Sequence, residues 1–165
     1  MKPKLLEGIR VLDLTNVLSG PFATLHLSLL GAEVIKIENP ADGDLARKLG
    51  NVRFLVQGTL YSDLLMGTSF LAQNANKKSL TLNLKNPEGK KIFLKLAETA
   101  DVVVENFRPD VMKRLGIGYP VLCAANPRII YCAISGFGAT GPDAMKPAYD
   151  QIIQGLSGVM AINGD

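Results

Sequence analysis

One histidine and two cysteines occur among 165 residues, and nowhere is there a run of the about 18 apolar residues that crossing a bilayer takes. Each shortage removes a class of function. His26 falls in a stretch of helical apolar spacing and reads as a packed structural residue, so histidine acid–base chemistry loses its one candidate. Cys123 and Cys132 show neither a C-x-x-C spacing nor a companion His and Cys cluster. That argues against a metal site or a redox motif, and for reduced thiols in a cytoplasmic protein. The start, Met1-Lys-Pro-Lys-Leu-Leu-Glu-Gly8, lacks the apolar core of a secretion signal, so neither export nor a membrane location is expected. A strong charge excess is lacking as well: the net charge is +3 with 20% charged residues, which does not imply a nucleic-acid partner. The basic stretch Asn76-Lys-Lys-Ser79 is short enough to be a solvated edge, with phosphate contact as the rival reading.

What is present is core. At 47% hydrophobic, the chain has the makings of one folded domain, and a domain of this size buries ~70% of its unfolded surface. Ile9-Arg-Val-Leu-Asp-Leu14 predicts a strand, and Ser19-Gly-Pro-Phe22 a helix start with a capping hydroxyl and a first-turn proline. That helix should run to about Leu30, stopped by Gly31, before a second strand at Glu33–Glu38. Together they make a βαβ unit, for which the right-handed parallel crossover is strongly preferred. The rhythm resumes with a strand at Leu80–Leu84, a helix capped near Asn86-Pro-Glu-Gly89 and running from Lys90 to Ala97, and a strand at Val102–Val104. Further helices are predicted from Pro109 to Gly116 and around Val121–Ala125, then a strand at Arg128–Ile134. Strands alternating with helices in this way predict an α/β fold, Rossmann-like, with a largely parallel sheet and flanking helices. Asn39 to Asn76 interrupts the alternation, with a turn at Asp42-Gly-Asp44 and a predicted helix from Thr59 to Ala72. A connector this long is usually functional or has structure of its own. Gln151–Met160 reads as a helix despite two glycines.

The most informative string is Asp101-Val-Val-Val-Glu-Asn-Phe-Arg-Pro-Asp110, a buried strand running into a proline-started helix. A strand tip that delivers backbone N–H groups, a guanidinium and a flat apolar face to one crevice suits a nucleotide-containing ligand. Gly136-Phe-Gly-Ala-Thr-Gly141 is a literal G-x-G-x-x-G, but Pro142 and Pro147 interrupt the helix that should follow, and no later strand ends in an acidic residue. NAD or FAD binding is therefore the lesser reading. The alternative is a glycine-rich loop that lets backbone pass close to a ligand or another segment.

The order of motifs resembles the class III CoA-transferases, the family that includes formyl-CoA transferase and carnitine CoA-transferase. The resemblance runs from Gly8 to Gly164 and rests on Gly8–Leu14, Ser19–Ala23, Gly31–Glu38, Gly43-Asp44, Asn76–Ser79, Val104–Pro109, Asn126–Tyr131, Ser135–Gly138 and Pro147–Asp150. It implies a cytoplasmic enzyme that moves CoA from an acyl-CoA donor to a carboxylic acid, through a mixed anhydride and an aspartyl-CoA thioester, with no metal. A carboxylate nucleophile suits that chemistry. Carried over residue by residue, it implies CoA contacts at Leu18, Ser19, Asn39, Leu82, Asn83, Lys85, Asn106, Phe107, Arg108, Arg114, Tyr149 and Asp150. Arg114 and Lys85 would meet phosphates, and Phe107 and Leu82 the adenine. Asn39 stands where a basic residue is expected, and Pro147 where a lysine is. Leu82 as core and Arg114 as a helix C-terminal charge are the competing structural roles.

The resemblance places the nucleophilic aspartate beyond Asp165, so residues 1–165 are expected to be an N-terminal, CoA-binding part of a large domain that lacks the small domain and the C-terminal return, and to be inactive alone. Tyr149 stands where the related α-methylacyl-CoA racemases have a catalytic histidine, which favours transferase over racemase. A stand-alone CoA- or nucleotide-binding module without chemistry is the main alternative. Ile152, Ile153, Leu156, Val159 and Met160 form an apolar stripe, and an uncovered stripe predicts a homo-oligomer, a complex with the missing half, or poor solubility.

Overall fold

A computed structural model describes residues 4–50, 55–56, 59–60 and 66–164. The first βαβ unit is β1 (Arg10–Asp13), α1 (Ser19–Leu29) and β2 (Glu33–Glu38). The connector that follows does carry structure: a 3-10 turn at Leu45–Lys48, the paired two-residue strands β3 (Leu55–Val56) and β4 (Thr59–Leu60), and helix α2 (Thr68–Asn74). The helix expected from Thr59 to Ala72 is thus a strand at its start and a helix at its end; residues 61–65 lie outside the described residues. Next come β5 (Lys78–Thr81), α3 (Pro87–Ala97), β6 (Val102–Glu105), α4 (Val111–Arg114), α5 (Tyr119–Ala125), β7 (Ile130–Ala133), α6 (Asp150–Leu156) and α7 (Val159–Ile162).

The main sheet has the order β5-β2-β1-β6-β7, and every pairing in it is parallel. This is the Rossmann-like α/β fold the sequence predicts. From β1 the chain first builds outward through β2 and β5, then returns to the other side of β1 for β6 and β7. The order therefore reverses between β1 and β6, and ligands of open parallel sheets bind at such a reversal, beyond the carboxyl ends of the strands. Two clusters cover the sheet faces. The larger joins Leu12, Leu14, Phe93, Val103, Met112, Ile117 and Leu122, and the smaller joins Val11, Val34, Ala32 and Val104.

Several boundaries move for local reasons. β5 begins at Lys78, opposite Ile35, and ends before the expected Leu84, because Asn83 turns the chain: its Oδ1 accepts from Lys85 N–H and its carbonyl from Asn86 N–H. Asn86 caps α3 as expected, accepting from Glu88 N–H at 2.9 Å. α4 starts only at Val111, since Asp110 adopts a left-handed conformation with φ 67°. Gln151–Met160 is two helices rather than one, parted at Gly158 with φ 80°. No residue of α6 or α7 is buried, and Leu156 is 69% exposed. Among the described residues, no helix is long and apolar enough to cross a membrane.

Helix α1 corrects two expectations. Ser19 does not cap it; Leu18 holds the cap position with no side-chain hydrogen bond, and Ser19 is the first helical residue. His26 is not packed but exposed, edge-on to exposed Phe22 with ring centroids 4.4 Å apart. Both follow from the face that α1 turns inward, which is made of Gly20, Pro21, Thr24 and Ser28. A Cβ on Gly20 would lie 2.2 Å from Thr15 Cγ2, so a side chain there would push the helix off the strand tip.

Candidate functional site

Beneath the carboxyl ends of β1, β2 and β5 lies a buried set of charges. Asp13, the last residue of β1, has no exposed surface. Its Oδ1 accepts from Thr15 N–H and Oγ1, and its Oδ2 from Thr24 Oγ1 at 2.7 Å. Lys77 supplies the counter-charge: its side chain is 1% exposed, and Nζ lies 3.0 Å from Asp13 Oδ2. The same ammonium donates to Pro21 O, Thr24 Oγ1 and Asn74 Oδ1, each at 2.8 Å, so one cation ties β1, α1 and α2 together. Burial pushes the Asp13 carboxyl up, but Lys36, Lys77 and the two hydroxyls outweigh it and hold the group below the usual carboxylate range. Burial pushes the Lys77 ammonium down, partly offset by Asp13. The solvated-edge reading of the lysine pair therefore holds for Lys78, which meets Glu33 at an exposed site, and fails for Lys77.

Lys36 and Asp44 form a second pair, 1% and 0% exposed, with Nζ 2.9 Å from Oδ2. Charge rather than an aligned hydrogen bond holds that contact, since Nζ donates to Thr15 O at 2.8 Å. Glu38 completes the group. It accepts from Arg47 Nε and Nη2, from Ser79 Oγ and from Asp44 N–H. Burial raises its carboxyl, and these donors more than reverse that, bringing it to about 2. Arg47 also lies over the Phe70 ring at 3.7 Å.

These charges grip the loop after β1. Thr15 N–H goes to Asp13, Thr15 O to Lys36, and Val17 N–H to Asp44 Oδ1 at 2.9 Å. From the other side, Asn106 Oδ1 accepts from Asn16 N–H at 2.8 Å and its Nδ2 donates to Asn16 O at 2.7 Å. Val17 is thereby held at φ 70°, an outlier for a β-branched residue that costs about 1–3 kcal/mol. Leu18 and Ser19 follow it, both exposed.

At the β6–β7 end lies a groove of about 460 Å³, lined by Phe107, Arg108, Lys113, Tyr119, Tyr131 and Ser135 among others. Glu105, 7% exposed, also lines it; its carboxylate accepts from Phe107 N–H at 2.7 Å and from Tyr131 Oη at 3.0 Å. Burial raises the Glu105 carboxyl, tempered by those two donors. Tyr131 is raised too, by burial and by the neighbouring carboxylate.

The sites the sequence suggests divide into those the fold gathers and those it does not. Asn39, Leu82 and Asn106 follow directly on parallel strands, Asn83, Phe107 and Arg108 come next after them, Leu18 and Ser19 close the loop that leads from β1 into α1, and Lys85 lies two residues beyond Asn83, so all belong to the carboxyl edge. Asn39 is exposed and turns the chain, accepting from Ala41 and Gly43 N–H. Leu82 is 8% exposed and belongs to the larger core, so its packing role is established. Both amide atoms of Asn106 are spent on Asn16. Arg114 ends α4 exposed, and Lys113 instead of Arg114 lines the groove. Tyr149 and Asp150 open α6, exposed, with Asp150 accepting from Gln154. The Gly136 loop makes a close approach to another segment: a Cβ on Gly136 would lie 2.2 Å from Ala148 Cβ. No helix occupies 142–149, so the dinucleotide fingerprint lacks the helix it needs. Lys36 and Glu105 carry no sequence signal as site residues, Lys77 reads from sequence only as a solvated or phosphate-facing cation, and Asp44 only as a turn residue; an acidic residue at the end of the first predicted strand, Asp13, is the available signal.

The model of CoA-transferase family III matches residues 6–165. The chain belongs to CoA-transferase family III. It is 46% identical over 164 residues to succinyl-CoA:glutarate CoA-transferase of Mus musculus, covering 99% of this chain and 35% of that protein. To acetyl-CoA:oxalate CoA-transferase of Acetobacter aceti it is 48% identical over 164 residues, covering 99% of this chain and 40% of the relative. Among solved structures, a CAIB/BAIF family protein from Brucella suis superposes with a TM-score of 0.87 at 39% identity, over 96% of this chain and 40% of that one. This family III chain thus spans 35–40% of the length of these relatives.

Proposed function

We propose that these residues bind the CoA part of an acyl-CoA in an enzyme that transfers CoA to a carboxylic acid. The supporting observation is the row of donors and cations along the carboxyl edge, at the reversal of strand order, in a family III chain. Arg114 and Lys85 are assigned to the phosphates and the Phe107 ring to the adenine, with Arg108 a further contact. Leu18 and Ser19, Asn39, Leu82 and Asn83, and Tyr149 and Asp150 complete the contacts, with Asn106 serving the site through the Asn16 backbone that it holds. The transfer runs through an aspartyl-CoA thioester whose aspartate lies outside residues 1–165, in a cytoplasmic protein whose α6–α7 surface is covered by association with a second copy or with further chain. The proposed reading assigns no metal to the site.

Calorimetric titration of the protein with CoA and with NAD tests the reading. CoA is expected to bind and NAD not; NAD binding without a CoA response would overturn it. Arg114→Ala should weaken CoA by about 1.5–3 kcal/mol, the range for hydrogen bonds to charged groups, and unchanged affinity would leave Arg114 a helix-end charge.

A further inference from the structure

We infer that Asp44 and Asn106 are positioning residues that act through Val17, holding the loop after β1 in the one conformation that presents Leu18 and Ser19 to the CoA donor. The inference rests on the CoA-binding reading above. Five successive backbone groups, from Thr15 N–H to Val17 N–H, are held by side chains from β1, β2, the turn before the 3-10 helix, and the β6 tip. Ordinary loops leave such groups to water. Here the fixation has a conformational consequence, because it ends on a valine at φ 70°. Left to itself a β-branched residue returns to negative φ, since its Cβ clashes in the left-handed region. That rotation would redirect Leu18 and Ser19 and move the first turn of α1.

Asp44 is built for the task. One oxygen accepts from both Val17 N–H and Ala46 N–H at 2.9 Å, and the other is fixed by Lys36, with the carboxylate fully enclosed. The distant β2 lysine thereby sets the angle at which the carboxylate meets the loop. Asn106 grips Asn16 from the opposite side of the strand-order reversal, so the loop is clamped across the crevice.

The test separates holding from stability by relieving the conformational demand. Lys36→Met with Asp44→Leu replaces the buried pair by apolar side chains, so that neither charge is left facing an empty partner, while removing the hold on Thr15 O and Val17 N–H. CoA affinity is expected to fall about tenfold, the factor that 1.4 kcal/mol produces, and Val17→Gly added to that background should restore most of it, because glycine takes positive φ freely. Asn106→Ala, with and without Val17→Gly, repeats the experiment at a half-buried position should the core double variant fail to fold. Free protein supplies a reading independent of CoA: a strong intraresidue HN–Hα NOE at Val17, the mark of positive φ, should weaken when a clamp is removed. Undiminished CoA affinity in the clamp variants, no rescue by glycine, or an unchanged Val17 NOE would each overturn the inference. A parent protein that ignores CoA while its Val17 NOE responds to the clamps would overturn the CoA-binding reading and not the clamp.

Discussion

On the β1–β2–β5 side of the sheet, Asp13, Glu38 and Asp44 are buried in ion pairs with Lys77, Arg47 and Lys36, and Lys36 acts on Asp13 as well. On the β6–β7 side Glu105 is also buried, yet among the described residues its partners are a backbone N–H and a tyrosine hydroxyl. The same residue class therefore has opposite electrostatics within one row of strand tips: Glu38 is pulled down to about 2, whereas burial raises Glu105. A paired cluster fixes geometry, because each charge restrains its partners. An unpaired carboxyl fixes less and remains open to a proton or to an arriving donor. The loop that the account needs rigid is on the first side, and the groove on the second.

Breaking the paired side should have the largest effect. Lys77→Met strands Asp13 in the interior, and loss of one partner of a buried pair costs about 3–5 kcal/mol, to be read as a fall in the denaturation midpoint. An unchanged midpoint would mean that Lys36 or water takes over the charge of Asp13. Acid should act on the same side. The folded Glu38 carboxyl lies near 2, below its ordinary 4.5, so its contribution is complete above 4.5 and is lost as pH falls from there towards 2. The difference amounts to about 3 kcal/mol, and Glu38→Gln should flatten that limb of the stability curve. Glu105 has the reverse sign: a raised folded value means stability declines as pH rises through the window just above 4.5. Glu105→Gln keeps one acceptor, for Phe107 N–H, and turns an NH2 towards Tyr131 Oη, which then accepts in place of donating; with the charge removed it should stabilise the neutral-pH protein by about 1 kcal/mol. Destabilisation instead would show that the carboxylate has a cation partner in solution.

How much of this could be read from sequence depends on the kind of information each feature uses. Glu33–Glu38 and Val102–Val104 are strands because segments rich in β-branched residues suit a sheet covered on both faces, and Asn86 with Pro87 marks a helix start by local chemistry alone. The parallel sheet follows from the alternation. α1 misled because its inward face is small and polar, so apolar spacing pointed outward, and His26 went with it. Lys77 misled for the complementary reason: a lysine pair carries no sign that one member reaches 64 residues back to Asp13. The Asn106 position was found by resemblance, but its two bonds to Asn16 depend on the reversal of strand order and could not be read from spacing. Long-range polar pairing is set by topology, which local pattern does not encode.

The central claim is that CoA meets this chain along the carboxyl ends of the strands beside the clamped loop. The most direct measurement is amide NMR of the labelled protein during titration with CoA. The account predicts shifts concentrated at Val17–Ser19, Asn39, Asn83–Lys85 and Asn106–Arg108, saturating together. Shifts confined to the Gly136–Gly141 loop, with the β1 and β6 tips unmoved, would contradict it.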